Sequence, residues 1–372
     1  MKSRKLIFVV FILCGIVITT SCKKDKEEIT EGESILPTSF KVDIPSSISN
    51  DQSNKSIQAD TLKGNEIYEH LRTFIAIGEG AADIVQSIMQ AISVYNINRA
   101  MSLSFQGDDD GRTKNLTVVE NSSYDGINWE FQMTITDADS ESNADGGNGM
   151  QIFWNTSPVK GIALLKPYNI NRNDTELDQA VFRIDYSEAG EYGYDKHMFV
   201  SIIDIPMPDP SIDPFGMNNL KMFAGKTGDI VDIYGNSNHP NAFFYTTNTG
   251  FNWAFVASGN EAQDIAVAEL GLPPHTLDAS DRATLLETYS IKTVLTDEIN
   301  QHFINTYGFL PDSASLADYL GDADAPGYFN TNGFSQSGSA PSGDYSPLND
   351  NIQSMAPFNP STVNNLTIEF KN

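Results

Sequence analysis

The stretch "INWEFQMTI", residues 127–135, alternates apolar and polar side chains along its whole length. A period of two puts Ile127, Trp129, Phe131, Met133 and Ile135 on one face. Asn128, Glu130, Gln132 and Thr134 take the other, the pattern of an antiparallel strand with one buried face. Strand-like segments recur near 102–106, 114–120, 150–155, 160–166, 180–186, 197–205, 220–224, 229–234, 242–246 and 251–257. Asp-Gly pairs at 110–111, 125–126 and 145–146 and Thr-Gly at 249–250 separate some of them, as hairpin turns require. No segment of helical length lies between these strands, which argues against parallel βαβ units. The class expected is β-rich α+β: an antiparallel meander forming a barrel, half-barrel or sandwich.

The flanks have a different period. Over 61–95, Ile67, Leu71, Phe74, Ile75, Ala82, Val85, Ile88, Met89 and Ile92 recur at three and four, predicting an amphipathic helix. Gly78 and Gly80 are candidate breaks in it, and "GEGAAD" lacks the third glycine of a dinucleotide-binding turn. Residues 261–271 and 280–306 also read as helix, so that helices over 261–306 would pack on the sheet. Ser280 is placed as an N-cap and Gly308 as the stop. "SFKVDI" at 39–44 suggests a short strand, 321–361 a flexible loop, and "NNLTIEFKN" at 364–372 a terminal strand returning to the sheet. Residues 38–372 would then form a single domain.

The chain carries 49 acidic and 23 basic residues, a net charge of −26. Such a surface repels phosphate backbones, so a nucleic-acid partner is not expected. G-x-S-x-G, H-E-x-x-H, P-loop and C-x-x-C motifs are absent, and the five histidines are scattered. "DADSESNADGGNG" at 137–149 is the densest oxygen-donor cluster, with Asp137, Asp139, Glu141, Asn143 and Asp145 on alternate positions. Calcium takes six to eight such ligands, so a calcium loop between two strands is one reading and a charged hairpin tip the other. The cluster resembles the start of an EF-hand loop but has Ile152 where the bidentate glutamate belongs. "GDDDG" at 107–111 is a second acidic turn of the same kind. Trp129 and Trp253 share strand faces with other apolar residues and read as core, while Trp154 is undecided between core and a sugar-stacking platform.

The N-terminus supplies an address. Met-Lys-Ser-Arg-Lys precedes an apolar run from Leu6 to Ile18, too short for a membrane span and suited to a signal peptide over 1–21. Thr19, Thr20 and Ser21 lead to Cys22, which would be the one cysteine left after cleavage because Cys14 lies in the apolar run. This resembles the lipobox of bacterial lipoproteins, with Thr19 standing where leucine is usual. The run Lys23, Lys24, Asp25, Lys26, Glu27 and Glu28 resembles the surface-export signal of Bacteroidetes lipoproteins. Asp60-Thr61-Leu62 and Asp312-Ser313-Ala314 resemble their O-glycosylation motif. The resemblance implies a lipidated tether over 22–37, the outer membrane as location and the cell surface as orientation. The function expected is a non-enzymatic binding or structural role, with a glycan, an apolar ligand or a protein as partner. A glycan-active hydrolase and a carrier of apolar ligands are the alternatives. Labelled fatty acid should enter the wild-type chain in cells and be lost in Cys22→Ala; equal labelling of the two would end the lipoprotein reading.

Overall fold

The computed structural model describes residues 34–50, 62–211, 213–245 and 250–371. Cys22 and the run 23–28 lie outside them. Thirteen strands form one antiparallel sheet in strict chain order: β1 (Met101–Gln106), β2 (Thr113–Tyr124), β3 (Ile127–Asp137), β4 (Asn148–Thr156), β5 (Val159–Leu165), β6 (Val181–Ser187), β7 (Lys196–Ile203), β8 (Asn219–Thr227), β9 (Ile230–His239), β10 (Phe251–Asn260), β11 (Ile265–Gly271), β12 (Gly327–Asn330) and β13 (Gly333–Ser337). β1 and β13 do not pair, so the meander is open. Helix α1 (Gly64–Ile92) touches β6, β7 and β8 and also β13, which requires the sheet to curl about it. A sheet this wide is expected to curl rather than stay flat.

The inner face packs on α1. Met133, Ile135, Ile184, Val200, Leu220, Met222 and Ile233 join Ile67, Leu71, Phe74 and Ile75 in one buried cluster. α1 runs unbroken through its glycines. A Cβ at Gly78 would lie 2.7 Å from the Met222 methyl and 3.0 Å from Leu220, so this glycine permits close approach of helix to sheet. Residues 39–44 bury Phe40, Val42 and Ile44 as their alternation predicts, but form no strand. Side chains of α1 replace the missing partner: Phe40 N–H donates to Gln86 Oε1 at 3.1 Å and Ile44 N–H to Glu79 Oε1 at 3.0 Å.

The outer face is covered by the C-terminal region. After β11 come a π-helical turn (Ala283–Thr288) and two helices that lengthen the chain before β12. In chain order after α1 the helices are α2 (Pro167–Ile170), α3 (Ile291–Tyr307), α4 (Ser313–Tyr319), α5 (Ser346–Ile352) and α6 (Pro360–Asn364). Tyr345, Leu348, Ile352 and Met355 pack on Ala254, Val256 and Val267. Asn219 then donates to Val363 O at 3.1 Å and Asn236 to Phe358 O at 3.0 Å. Residues 365–371 finish across β3–β5, where Ile368 and Phe370 pack on Trp129, Phe153, Ile162 and Leu164.

Several expectations change. Residues 265–271 are strand β11, not helix: Ala266, Val267 and Ala268 are buried between β10 and β12, and pairing outweighs their helical preference. Ser280 is not the N-cap of the long helix; Ser290 is, accepting from Thr293 N–H at 3.3 Å. Residues 321–361 hold two strands and α5 rather than a flexible loop, because their apolar residues seal the outer face. Residues 242–245 form no strand beyond an isolated bridge residue. The terminal segment docks without joining the sheet: the Gln151 carboxamide donates to Lys371 O at 2.9 Å and accepts from Lys371 N–H at 2.8 Å, as a paired strand would. The 127–135 stretch is split. Phe131, Met133 and Ile135 join the inner cluster, but Trp129 belongs to the outer one; between Phe131 and Trp129 the ladder skips the Asn121–Glu130 pair, with Asn121 held at φ 56°.

Glu79 tests the packing of residues 44–49 on α1. Burial pushes its carboxyl up to about 7, against the hydrogen bonds from Ser49 and Ile44 that favour the anion. A carboxyl whose folded pKa is raised contributes stability below its unfolded value, near 4.5, and loses it as pH rises through about 7. Glu79→Gln should therefore flatten the fall in Tm between pH 5 and 8, removing on the order of 2–3 kcal/mol of pH dependence. Parallel profiles for the two proteins would place Glu79 in water.

Candidate binding site

The two acidic turns meet at one end of the sheet. Asp137, at the end of β3, is fully buried and receives Arg112 Nε at 2.6 Å, Arg112 Nη2 at 2.7 Å and Lys114 Nζ at 3.1 Å. Lys114, itself buried, also donates to Asp110 at 2.8 Å and to Asn169 O at 3.1 Å. Its three ammonium protons thus meet three acceptors. Burial alone would raise the Asp137 pKa, but the bonds from Arg112 and Lys114 outweigh it and hold the carboxyl well below the usual range. Asp145 is likewise lowered to about 2, burial being overcome by Asn169 and Lys166. Glu141 accepts from Asn115 at 2.7 Å and Thr136 at 2.8 Å. Asp139 is mostly exposed and lies 3.6 Å from Arg112, and Asn143 stands in the turn between.

The five residues proposed as calcium ligands are therefore not brought together. Among the described residues, no three His, Cys, Asp or Glu side chains form a group able to hold a metal. Three of the five already serve the protein's own donors. The partners of Asp137 that sequence reasoning missed are Lys114, Arg112 and Arg172, separated from it by a hairpin or more. Spacing along the chain held no signal of this.

A second site lies on the outer face. A trough of about 740 Å³ crosses β5–β8, within the range of roughly 300–1,000 Å³ typical of small-molecule sites. Sheet register builds its floor in rows. Leu164, Arg183, Ser201 and Lys221 stand opposite one another, then Ile162, Asp185, Phe199 and Phe223, then Lys160, Ser187, His197 and Gly225. Leu366, Thr367 and Ile368 form one wall, and Ile127 and Trp129 line it as well. The rim opposite is the turn at 190–193, which carries Glu191 and Tyr192.

Tyr192 is 69% exposed and sits at φ 57°, a left-handed conformation uncommon for a bulky residue. Its ring holds that position edge-on to His197 at 4.9 Å and Phe199 at 5.7 Å. His197 stacks on Phe223 at 5.7 Å, and burial lowers its pKa, which the nearby Glu191 only partly opposes. Gly225 makes room for Tyr194: a Cβ there would fall 2.6 Å from that ring. Glu191 accepts from Lys160 at 2.7 Å, which lowers its pKa against the effect of burial. Arg183 donates to both oxygens of Asp185, at 2.8 and 2.7 Å, and to Asp125 at 2.8 Å.

The tryptophans are not platforms. Trp154 and Trp253 are fully buried, and Trp129 is covered by the C-terminal segment. The exposed ring at the trough is Tyr192, whose setting in "EAGEYGYD" (188–195) marks a turn with an aromatic residue between glycines. No known protein family, curated protein or solved structure matches the chain.

Asp137→Asn removes one of the two carboxylates that balance buried Lys114 and the one that Arg112 clasps. Denaturant unfolding should show a loss of about 3–5 kcal/mol, while millimolar calcium should leave the wild-type Tm unchanged. A loss below about 1 kcal/mol, the scale of an exposed pair, or a calcium-dependent rise in Tm, would contradict the internal ion cluster.

Proposed function

We propose that this chain is a lipid-anchored outer-membrane protein, held by Cys22 and directed to the cell surface by residues 23–28, whose outer-face trough binds a saccharide without transforming it. The observation that carries the reading is Tyr192, an exposed ring fixed at the rim of a floor of hydrogen-bonding side chains. Sugar rings offer an apolar C–H face and a polar edge. A trough that combines Tyr192, Phe199 and Ile162 with Ser187, Ser201, His197 and Asp185 matches both.

The alternatives have less support. A carrier of apolar ligands needs room beneath α1, where the cavity beside Ile77, Ala81, Leu177, Phe182 and Ile205 is about 20 Å³, about the size of a single water. A retaining or inverting hydrolase needs one carboxyl with a raised pKa as general acid. In the trough Glu191 is lowered by Lys160, and both oxygens of Asp185 are taken by Arg183. The acidic surface fits a protein that does not bind nucleic acid. Calcium has no part in this reading.

The full chain, extracted in mild detergent, should retain oligosaccharides on a printed array. Tyr192→Ala should weaken the strongest of them by about tenfold or more, the scale of a lost aromatic stack, with Tm unchanged because the side chain is largely exposed. An array on which nothing binds, or on which Tyr192→Ala binds as the wild type does, would defeat the proposal.

A further inference from the structure

The charge inside the trough has the opposite balance to that of the whole chain. Its lining carries three cations, Lys160, Arg183 and Lys221, against two carboxylates, Asp185 and Glu191, in a protein of net charge −26. Two of the cations are committed. Lys160 is held by Glu191 at 2.7 Å, and Arg183 by Asp185 and Asp125. Lys221 is in a different state. Its ammonium lies 4.7 Å from the centroid of the Phe358 ring, and among the described residues no carboxylate stands within 4.0 Å of it.

A half-buried ammonium beside a ring is supported by the cation–π attraction but has lost part of its hydration. Burial accordingly lowers the Lys221 pKa, which the neighbouring Asp185 only partly opposes. An anion delivered to this point would restore what burial removed. The residues next to it on the floor are suited to assist. Ser201 pairs directly with Lys221 across β7–β8, and Arg183 pairs with Ser201 across β6–β7. An ammonium, a hydroxyl and a guanidinium thus occupy one row.

We infer that this row is an anion subsite, and that the trough takes an acidic saccharide whose carboxylate or sulfate group rests at Lys221 while a sugar ring lies on Tyr192. The inference depends on the saccharide reading above and adds the charge of the ligand to it. Lysine is a point charge with rotatable donors, so it accepts either anion without the fixed fork geometry of arginine. In the acidic field of the whole protein, an anionic ligand would be favoured only beside a cation that carboxylates do not already hold.

An array bearing neutral, uronate-containing and sulfated oligosaccharides, probed with the detergent-extracted full chain, separates the cases. Binding should concentrate on the acidic members, and the uronate and sulfate arms identify which anion is preferred. Calorimetry on the strongest acidic hit should show about tenfold weaker binding in Lys221→Met, the scale of one charge-assisted hydrogen bond. Lys221→Arg should recover most of the affinity, and added salt should weaken the wild type more than Lys221→Met. The neutral counterpart should bind both proteins alike, and an unchanged Tm for Lys221→Met would confirm folding. Tyr192-dependent binding that is equally tight for neutral sugars, or unaffected by Lys221→Met, would overturn the anion subsite and leave the saccharide reading standing. Failure of the wild type to bind any saccharide would remove both.

Discussion

The structure is governed by one requirement: an open antiparallel sheet of thirteen strands has two wide faces, and α1, the longest helix among the described residues, can cover only one of them. α1 covers the inner face where β6–β8 curl around it. The outer face must be covered by chain that is mostly not helical, and residues 39–44 on the inner side are not helical either. Extended chain over a sheet has buried amides and carbonyls that no ladder satisfies, and each left unpaired costs about 1–3 kcal/mol. Side chains supply the partners. Gln86 and Glu79 serve the N-terminal segment; Asn219, Asn236 and Gln151 serve the C-terminal one. The richness in asparagine and glutamine on strand faces has its physical reason here. The trough is the place where this covering leaves off, between α6 and the last residues of the chain.

That requirement also explains which parts of the fold were legible. Strands with one face toward solvent alternate cleanly: β1 is half-exposed and exposed in turn, and β2 and β3 alternate over most of their length. Nearly all the strands from 101 to 258 could be placed from period and turns alone. β10 is buried on both faces, and the Thr-Gly turn at 249–250 marks where it begins. β11 was misread because Ala, Glu and Leu favour helix, and only its neighbours make it a strand. β12 and β13 are short, and they lie in a region whose Gly, Ser and Asn content imitates disorder. The terminal segment has perfect alternation yet no ladder. Alternation there reports burial of Ile368 and Phe370 on one side, which a docked segment shares with a strand. The site was less legible than the fold. The acidic turns were visible, but their cations were not, and the trough exists only through the register that aligns β5 to β8.

Charge is arranged in two opposite ways on the one sheet. At the Asp137 end, acidic residues that look like ligands in the sequence are already neutralised by Lys114, Arg112 and Lys166, so their oxygens are committed to the fold. In the trough, by contrast, Lys221 has no carboxylate within 4.0 Å among the described residues. Lys114 and Lys221 make the comparison concrete. Both are lysines on the sheet with reduced access to water. Lys114 has two carboxylates and a carbonyl, whereas Lys221 has an aromatic ring. The first arrangement closes a structural cluster; the second leaves an unmet electrostatic demand.

The packing of the trough bears on the proposed choice of recognition over chemistry. Its floor consists of side chains on central strands, each fixed by cross-strand neighbours, and its rim by a tyrosine held in a left-handed conformation against His197 and Phe199. Gly225 and the bond from Tyr194 to Asp232 at 3.1 Å fasten the layer beneath that rim. A preformed surface of this kind spends little binding free energy on ordering itself, which favours affinity for a ligand held as it arrives. Catalysis would need in addition a group poised to change protonation at the reacting bond. Lys160 instead lowers the pKa of the Glu191 carboxyl, and burial lowers that of the His197 ring. Groups shifted in these directions suit the binding role proposed above, as donors and acceptors for a ligand.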